Sequence, residues 1–186
     1  PHITDEIKKC ILKAASGYEI CIVEIGGTVG DIESLPFLEA IRQMTHELGK
    51  GNAINIHVTY VPYIKTAHEL KTKPTQHSVK ALREIGLDPD IILCRSEKVL
   101  SKEIKSKISL YCNVPVTCVI SAQDTDFIYE IPLLFRQEGI DKEILSLLNL
   151  EVSEPNLTKW EELVEKYNEI NNTVSICIIG KYTELV

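Results

Sequence analysis

Residues 19–34 read EICIVEIGGTVGDIES. The apolar run 20–25 carries one carboxylate, Glu24, and breaks into a loop holding Gly26, Gly27 and Gly30. The loop closes on Asp31, a residue type suited to cap the amphipathic stretch that follows. This pattern predicts a buried strand over 19–25 and a helix over 33–49 that ends at Gly49. A strand that turns through glycines into a helix offers backbone N–H groups and a positive dipole end to an anion. A carboxylate at the strand's carboxyl end can hold a hard cation such as Mg²⁺. An ionised carboxylate in an apolar strand is costly unless it is paired or metal-bound, which argues against a solvated bystander role for Glu24. The loop is not a P-loop, because GxxxxGK[ST] occurs nowhere in the chain.

Outward from this segment, amphipathic and apolar stretches alternate. Residues 5–16 place Ile7, Cys10, Ile11 and Ala14 on one helical face, with Thr4 as the expected cap and Gly17 as the stop. Residues 53–62 alternate towards a strand, and a polar loop runs on to Pro74. Thr75 opens a helix with Val79, Leu82 and Ile85 inward, ended by Gly86. A strand over 91–94, a helix over 101–112, a strand over 116–121 and helices over 129–138 and 140–149 follow. Strands alternating with helices imply an α/β fold, doubly wound, with a mainly parallel sheet and helices on both faces. Ligands in such sheets bind beyond the carboxyl ends of the strands, which would gather Glu24 and the loops after Pro62 and Ser121 at one edge. Residues 151–156, EVSEPN, read as a linker, and Leu157, Trp160, Leu163, Val164 and Tyr167 stripe one helix after it. The closing TVSICIIGKYTELV has the signature of a buried strand, and the chain is expected to be a fragment of a longer protein. It has no internal repeats.

The 186 residues suffice for one domain with a sizeable core, and 44% hydrophobic with 25% charged residues is ordinary for a soluble globular protein. No apolar run approaches the roughly 20 residues of a membrane span, and PHITDEIKKC is no signal peptide. A net charge of −7 argues against a general nucleic-acid binder. Lys65, Lys71, Lys73 and Lys80 nevertheless cluster locally, which suits a small anionic ligand better than a polymer. Six cysteines show neither a CxxC pair nor zinc-ligand spacing. Cys21, Cys94, Cys118 and Cys177 fall in apolar runs and read as small hydrophobes. Reduced thiols throughout point to a cytoplasmic protein, in which the sequons at Asn156 and Asn171 are chance matches. The five histidines form no metal set, and His57 on a strand reads as a satisfied core or interface residue.

The second motif is KTKPTQHS, residues 71–78. Two lysines, a stiffening proline and a helix start can grip a polyphosphate, and Gln76 adds an amide able to read a sugar or base. Alone, the same pattern is also that of a solvated loop. Together, PHITDEI, EIGGTVGDIES, KTKPTQHSV, CRSE at 94–97 and IIGKYTE resemble the CTP synthase family, in that order and at compatible spacing. The resemblance implies an incomplete P-loop NTPase-like synthetase (amidoligase) domain over 1–150. It further implies a linker over 151–172 and the first strand of a glutamine amidotransferase domain over 173–186. The family converts UTP to CTP: ATP phosphorylates the uracil 4-oxygen, and ammonia from glutamine displaces the phosphate. By resemblance, Glu24 is a Mg²⁺ ligand, and Asp31, Ile32 and Glu33 contact CTP. Lys71, Thr72, Lys73, Pro74, Thr75, Gln76 and Lys107 contact UTP or CTP, and Gln123, Asp124 and Thr125 line the ATP adenine. The family's P-loop and second acidic ligand are expected upstream and its glutaminase Cys, His and Glu downstream, so the fragment alone is expected to be inactive. A homotetramer with nucleotide sites shared between subunits, and filaments, are also implied.

Two other classes fit parts of the pattern. A non-catalytic regulatory module would bind a nucleotide without turning it over. A pure interaction domain would use the glycine loop as a tight turn, but would have no use for a lysine pair aimed at the sheet edge.

Overall fold

The computed structural model describes residues 2–151, 154–171 and 173–181. The run at 91–94 grows into the central strand of a three-stranded parallel sheet. This sheet joins β1 (Ile56–Tyr60), β4 (Ile91–Ser96) and β5 (Val119–Gln123) in the order β1-β4-β5. Pairing runs Ile56 to Ile91 and Ile92 to Val119. A short antiparallel hairpin, β2 (Tyr63–Ile64) and β3 (Glu69–Leu70), stands on the loop leaving β1.

Helices α3 (Lys73–Glu84) and α4 (Lys102–Cys112) are the crossovers of two successive βαβ units. Successive crossovers of one hand lay their helices on one face. Val79 of α3 and Ile108 and Cys112 of α4 meet Ile92, Cys94 and Val119 of the sheet there. The alternate residues point the other way. Ile91 and Ile120 pack with Ile140, and Phe135, Ile144 and Leu147 close over them from α5 (Ile131–Glu138) and α6 (Ile140–Leu147). β4 and β5 are thus covered on both faces, as the alternation of apolar segments implies, while on β1 the face carrying Ile56, Val58 and Tyr60 stays exposed. Ser101 caps α4 by accepting from the Ile104 N–H at 3.3 Å, and Asn113 ends it in the left-handed region, φ 48°.

Helices α1 (His2–Ala15) and α2 (Leu35–Leu48) pack on each other, and Leu38 of α2 clusters with Leu82 of α3 and with Leu87 just after it. Thr4 lies inside α1 rather than at its cap, and Pro1 of the PHITDEI motif is outside the described residues. Helix α7 (Thr158–Asn168) carries Trp160, Leu163, Val164 and Tyr167 of the predicted stripe, and Leu157 stands just before it.

Two predicted strands are absent among the described residues. Residues 19–25 take no ladder, and Ile22 is 92% exposed. A strand needs a neighbouring strand to pair with along at least one edge, and apolar composition alone supplies none. Residues 173–181 are likewise irregular and exposed, while 172 and 182–186 of the same run lie outside the described residues. Cys21 and Cys177 are therefore exposed, whereas Cys94 and Cys118 are buried as read. No described helix is long and apolar enough to cross a membrane.

Candidate functional site

The carboxyl edge of the sheet is knit across all three strands. Beyond β1, the Val61 N–H donates to the Arg95 carbonyl at 2.8 Å; beyond β5, the Asp124 N–H donates to the Ser96 carbonyl at 2.9 Å. Arg95 also donates from Nε to Asp124 Oδ1 at 2.7 Å, and that bond raises the guanidinium pKa. The loops after β1 and β5 therefore hold fixed positions relative to each other.

Into this edge the chain delivers the start of α3. Pro74 occupies the first turn, where a missing N–H costs nothing. Thr72 precedes the helix but makes no side-chain cap bond. Its buried hydroxyl instead accepts from Gln76 Nε2 at 3.0 Å. Thr75 is fully buried, and its hydroxyl donates to Thr59 Oγ1 at 3.2 Å and to the Tyr60 carbonyl at 3.3 Å. Helix and strand end are thus pinned together through Thr75. Lys71, Lys73 and Pro74 are exposed; Lys71 pairs with Glu69, and Lys73 has no ion-pair partner among the described residues. Lys107 is exposed on α4, which packs beside α3.

At the end of β5, Gln123 donates to the Glu97 carbonyl at 3.5 Å. Thr125 donates to Glu130 Oε2 at 2.7 Å and accepts from the Phe127 N–H at 3.3 Å. Residues 71–76 and 123–125 therefore share one edge.

Glu24, Gly26, Gly27, Asp31, Glu33 and Phe37 are among the residues that line a separate cavity of about 340 Å³, to which none of the lysines contributes. Residues 19–25 are not a strand of the sheet, so the sheet itself does not carry Glu24 to the edge where the two loops stand. Glu24 is exposed, so the cost of a buried carboxylate no longer bears on its role. Asp31 is not the helix cap; its Oδ2 accepts from the Thr28 N–H at 3.3 Å inside a turn, and Ser34 precedes α2. Ile32 is 85% exposed. Among the described residues no group of three His, Cys, Asp or Glu side chains could hold a metal.

Sequence reasoning missed the β2–β3 hairpin, which it treated as a polar loop. The alternation of Tyr63-Ile64 with Glu69-Leu70 around a short polar tip was the available signal. It also missed Lys98, whose ammonium sits 3.7 Å over the Tyr63 ring and ties the loop after β4 to the hairpin. His57 is buried as expected, with Nε2 2.9 Å from Ser78 Oγ, and burial lowers its pKa. Burial pushes Cys94 up to about 12 and Cys118 up to about 11, so both thiols are poor nucleophiles near neutrality.

The model of the family described as CTP synthase N-terminus matches residues 1–150. A CTP synthase of Hydrogenobaculum sp. is 60% identical over 185 residues, covering 100% of this chain and 35% of the relative. The CTP synthase of Syntrophus aciditrophicus is 57% identical over 185 residues, with 100% and 34% covered. That of Aquifex aeolicus is 56% identical over 185 residues, with 100% and 35% covered. The chain spans about a third of the length of these curated relatives. It belongs to the CTP synthase family.

Proposed function

We propose that this member of the CTP synthase family is part of a synthetase domain that, within a longer protein, aminates UTP to CTP. In this reading ATP phosphorylates the uracil 4-oxygen, and ammonia from glutamine then displaces that phosphate. Residues 1–150 belong to the synthetase domain, 151–172 to a linker and 173–186 to the opening of a glutamine amidotransferase domain. The observation that carries the reading is the shared carboxyl edge. Residues 71–76 at the start of α3 and residues 123–125 after β5 stand on one rigid sheet, where two nucleotides can lie side by side.

Lys71, Lys73 and Lys107 meet the triphosphate of UTP or CTP as point charges, supported by the dipole of α3. Thr72, Pro74, Thr75 and Gln76 shape that helix start, with Thr75 acting from inside through Thr59 and Tyr60. Gln123, Asp124 and Thr125 line the adenine of ATP. Asp31, Ile32 and Glu33 contact CTP. Phosphoryl transfer asks the protein for positioning and charge stabilisation rather than covalent chemistry, which suits an edge furnished with lysines.

Mg²⁺ commonly takes one or two carboxylates and fills its remaining positions with water and phosphate. An exposed Glu24 beside two glycines fits that pattern, and Glu24 is the residue that would hold it. Bound there, the ion would neutralise phosphate charge. The assembly is a cytoplasmic homotetramer that shares nucleotide sites between subunits and builds filaments.

The test is CTP formation from UTP, ATP and glutamine or ammonia. The full-length protein should form CTP. The 186-residue chain, which contains no GxxxxGK[ST] segment, should form none. A full-length protein that binds these nucleotides without turning them over would instead be the non-catalytic regulatory module.

A further inference from the structure

We propose that Phe127 and Tyr167 are positioning residues that lock the adenine-lining segment 123–125 to the linker helix α7, so that the two take up position together. The proposal rests on the reading of Gln123, Asp124 and Thr125 as the ATP segment.

The chain leaving β5 folds into a closed turn. Thr125 donates to Glu130 Oε2 at 2.7 Å, the Phe127 N–H donates back to Thr125 Oγ1 at 3.3 Å, and the Glu130 N–H donates to the Phe127 carbonyl at 2.9 Å. Displacing Phe127 therefore displaces the Thr125 hydroxyl. The Phe127 ring lies flat on Tyr167 of α7, with centroids 3.8 Å apart and planes 3° from parallel. Tyr129 adds a second contact, 6.1 Å from the Trp160 ring, and sits 5.4 Å from Phe127. Aromatic residues are only 6% of the chain, yet four of them meet here. They do not build the core. No residue of α7 is buried, and Tyr129 and Tyr167 are 48% and 43% exposed. Four rings spent on a half-exposed contact, between a linker helix and the turn that holds Thr125, fix a geometry more than they stabilise a fold.

The experiment uses the full-length protein and compares wild type with Tyr167→Ala, Tyr167→Phe and Trp160→Ala. The probes are a non-hydrolysable ATP analogue and UTP, each titrated separately. Loss of one aromatic pair should weaken the ATP analogue about threefold to tenfold in Tyr167→Ala. UTP affinity should stay within about twofold, because residues 71–76 are anchored through Thr75 and not through α7. Tyr167→Phe keeps the stacked ring and should restore analogue binding, and Trp160→Ala should repeat the selective loss to a smaller degree. Unchanged analogue affinity in Tyr167→Ala overturns the proposal while leaving the adenine assignment standing. Equal weakening of analogue and UTP overturns it by making α7 a general brace. A wild-type protein that does not bind the analogue removes the adenine reading, and the proposal falls with it.

Discussion

Residues 20–23 and 91–94 are nearly the same in composition, ICIV against IILC, yet they reach opposite environments. Ile91, Ile92 and Cys94 are fully buried, whereas Ile20 and Ile22 are 53% and 92% exposed. What differs is hydrogen bonding. β4 has a parallel neighbour on each side, so its backbone groups are satisfied and its side chains stand alternately towards α3 and α4 and towards α5 and α6. Residues 20–23 have no ladder partner among the described residues, so they form no sheet face that a helix could cover. An apolar run states a demand for burial, and the neighbouring strand decides whether the demand is met.

The most direct way to break this comparison is to truncate the same side chain in both runs. Ile92→Ala should cost about 2–5 kcal/mol, the usual range for emptying a packed site. Ile22→Ala should stay within about 0.5 kcal/mol, as exposed substitutions do. Hydrogen exchange of the β4 amides in the full-length protein measures the first, and its thermal midpoint measures the second. Comparable losses at both positions would show that residues 19–25 are packed in solution and would restore the predicted strand.

A second test asks whether the exposed segment carries chemistry in place of packing. Glu24→Ala in the full-length protein should lower UTP phosphorylation about a hundredfold or more, the scale for losing one charge-stabilising group. Its thermal midpoint should be unchanged, because the carboxylate is exposed. Glutamine hydrolysis, on the proposed reading the work of another domain, should partly survive. Loss of neither activity would make Glu24 irrelevant, and loss of both with a lowered midpoint would make it structural.

Legibility in the sequence follows the same division. Helices over 75–85 and 101–112 and the strand over 91–94 were readable because their periodicity and stops act locally: a proline in the first turn of α3, Ser101 before α4 and Gly86 after α3. Their observed bounds, Lys73–Glu84, Lys102–Cys112 and Ile91–Ser96, differ by a few residues. Residues 116–121 split into a 3-10 turn, Val116–Cys118, and β5. The failures needed non-local knowledge. No pattern in 19–25 says whether a partner strand exists. The stripe Trp160, Leu163, Val164 and Tyr167 revealed a face, but not that Phe127 and Tyr129 would meet it. At the site, residues 71–78 announced a basic helix start, yet nothing local showed that Thr75 would be spent on Thr59 and Tyr60.

The lysines sharpen the comparison at smaller scale, since both stand on the same edge with different local pairing. Each charge-assisted contact to a phosphate is worth about 1.5–3 kcal/mol, hence roughly a tenfold to hundredfold loss of UTP or CTP affinity on truncation. Lys73→Ala should fall at the upper end. Lys71→Ala should fall at the lower end, because Lys71 must first leave Glu69 to engage a phosphate. ATP-analogue affinity should change little in either variant. Titration with CTP and with the analogue separates these outcomes, and unchanged CTP affinity in both variants would return the loop to ordinary solvated surface. Where the nucleotide site is shared between subunits, sizing with and without UTP should also show weaker assembly.

The smallest effect belongs to the buried side of the comparison and depends on pH. His57 stands on β1 with its ring against Ser78 of α3, and burial lowers its pKa from the ordinary 6.5. A histidine with a depressed folded-state pKa is neutral in the native protein at pH values where the unfolded chain already binds a proton. Its stabilising contribution is therefore complete above about pH 6.5 and is lost as the pH falls below that value, by at most about 1.4 kcal/mol per pH unit. The other four histidines are exposed. His57→Gln keeps a polar partner for Ser78 and removes the titration, so it should flatten the fall of the thermal midpoint between pH 6.5 and 5.5. A variant whose midpoint falls as steeply as wild type would place the acid sensitivity elsewhere and leave the β1–α3 contact indifferent to protonation.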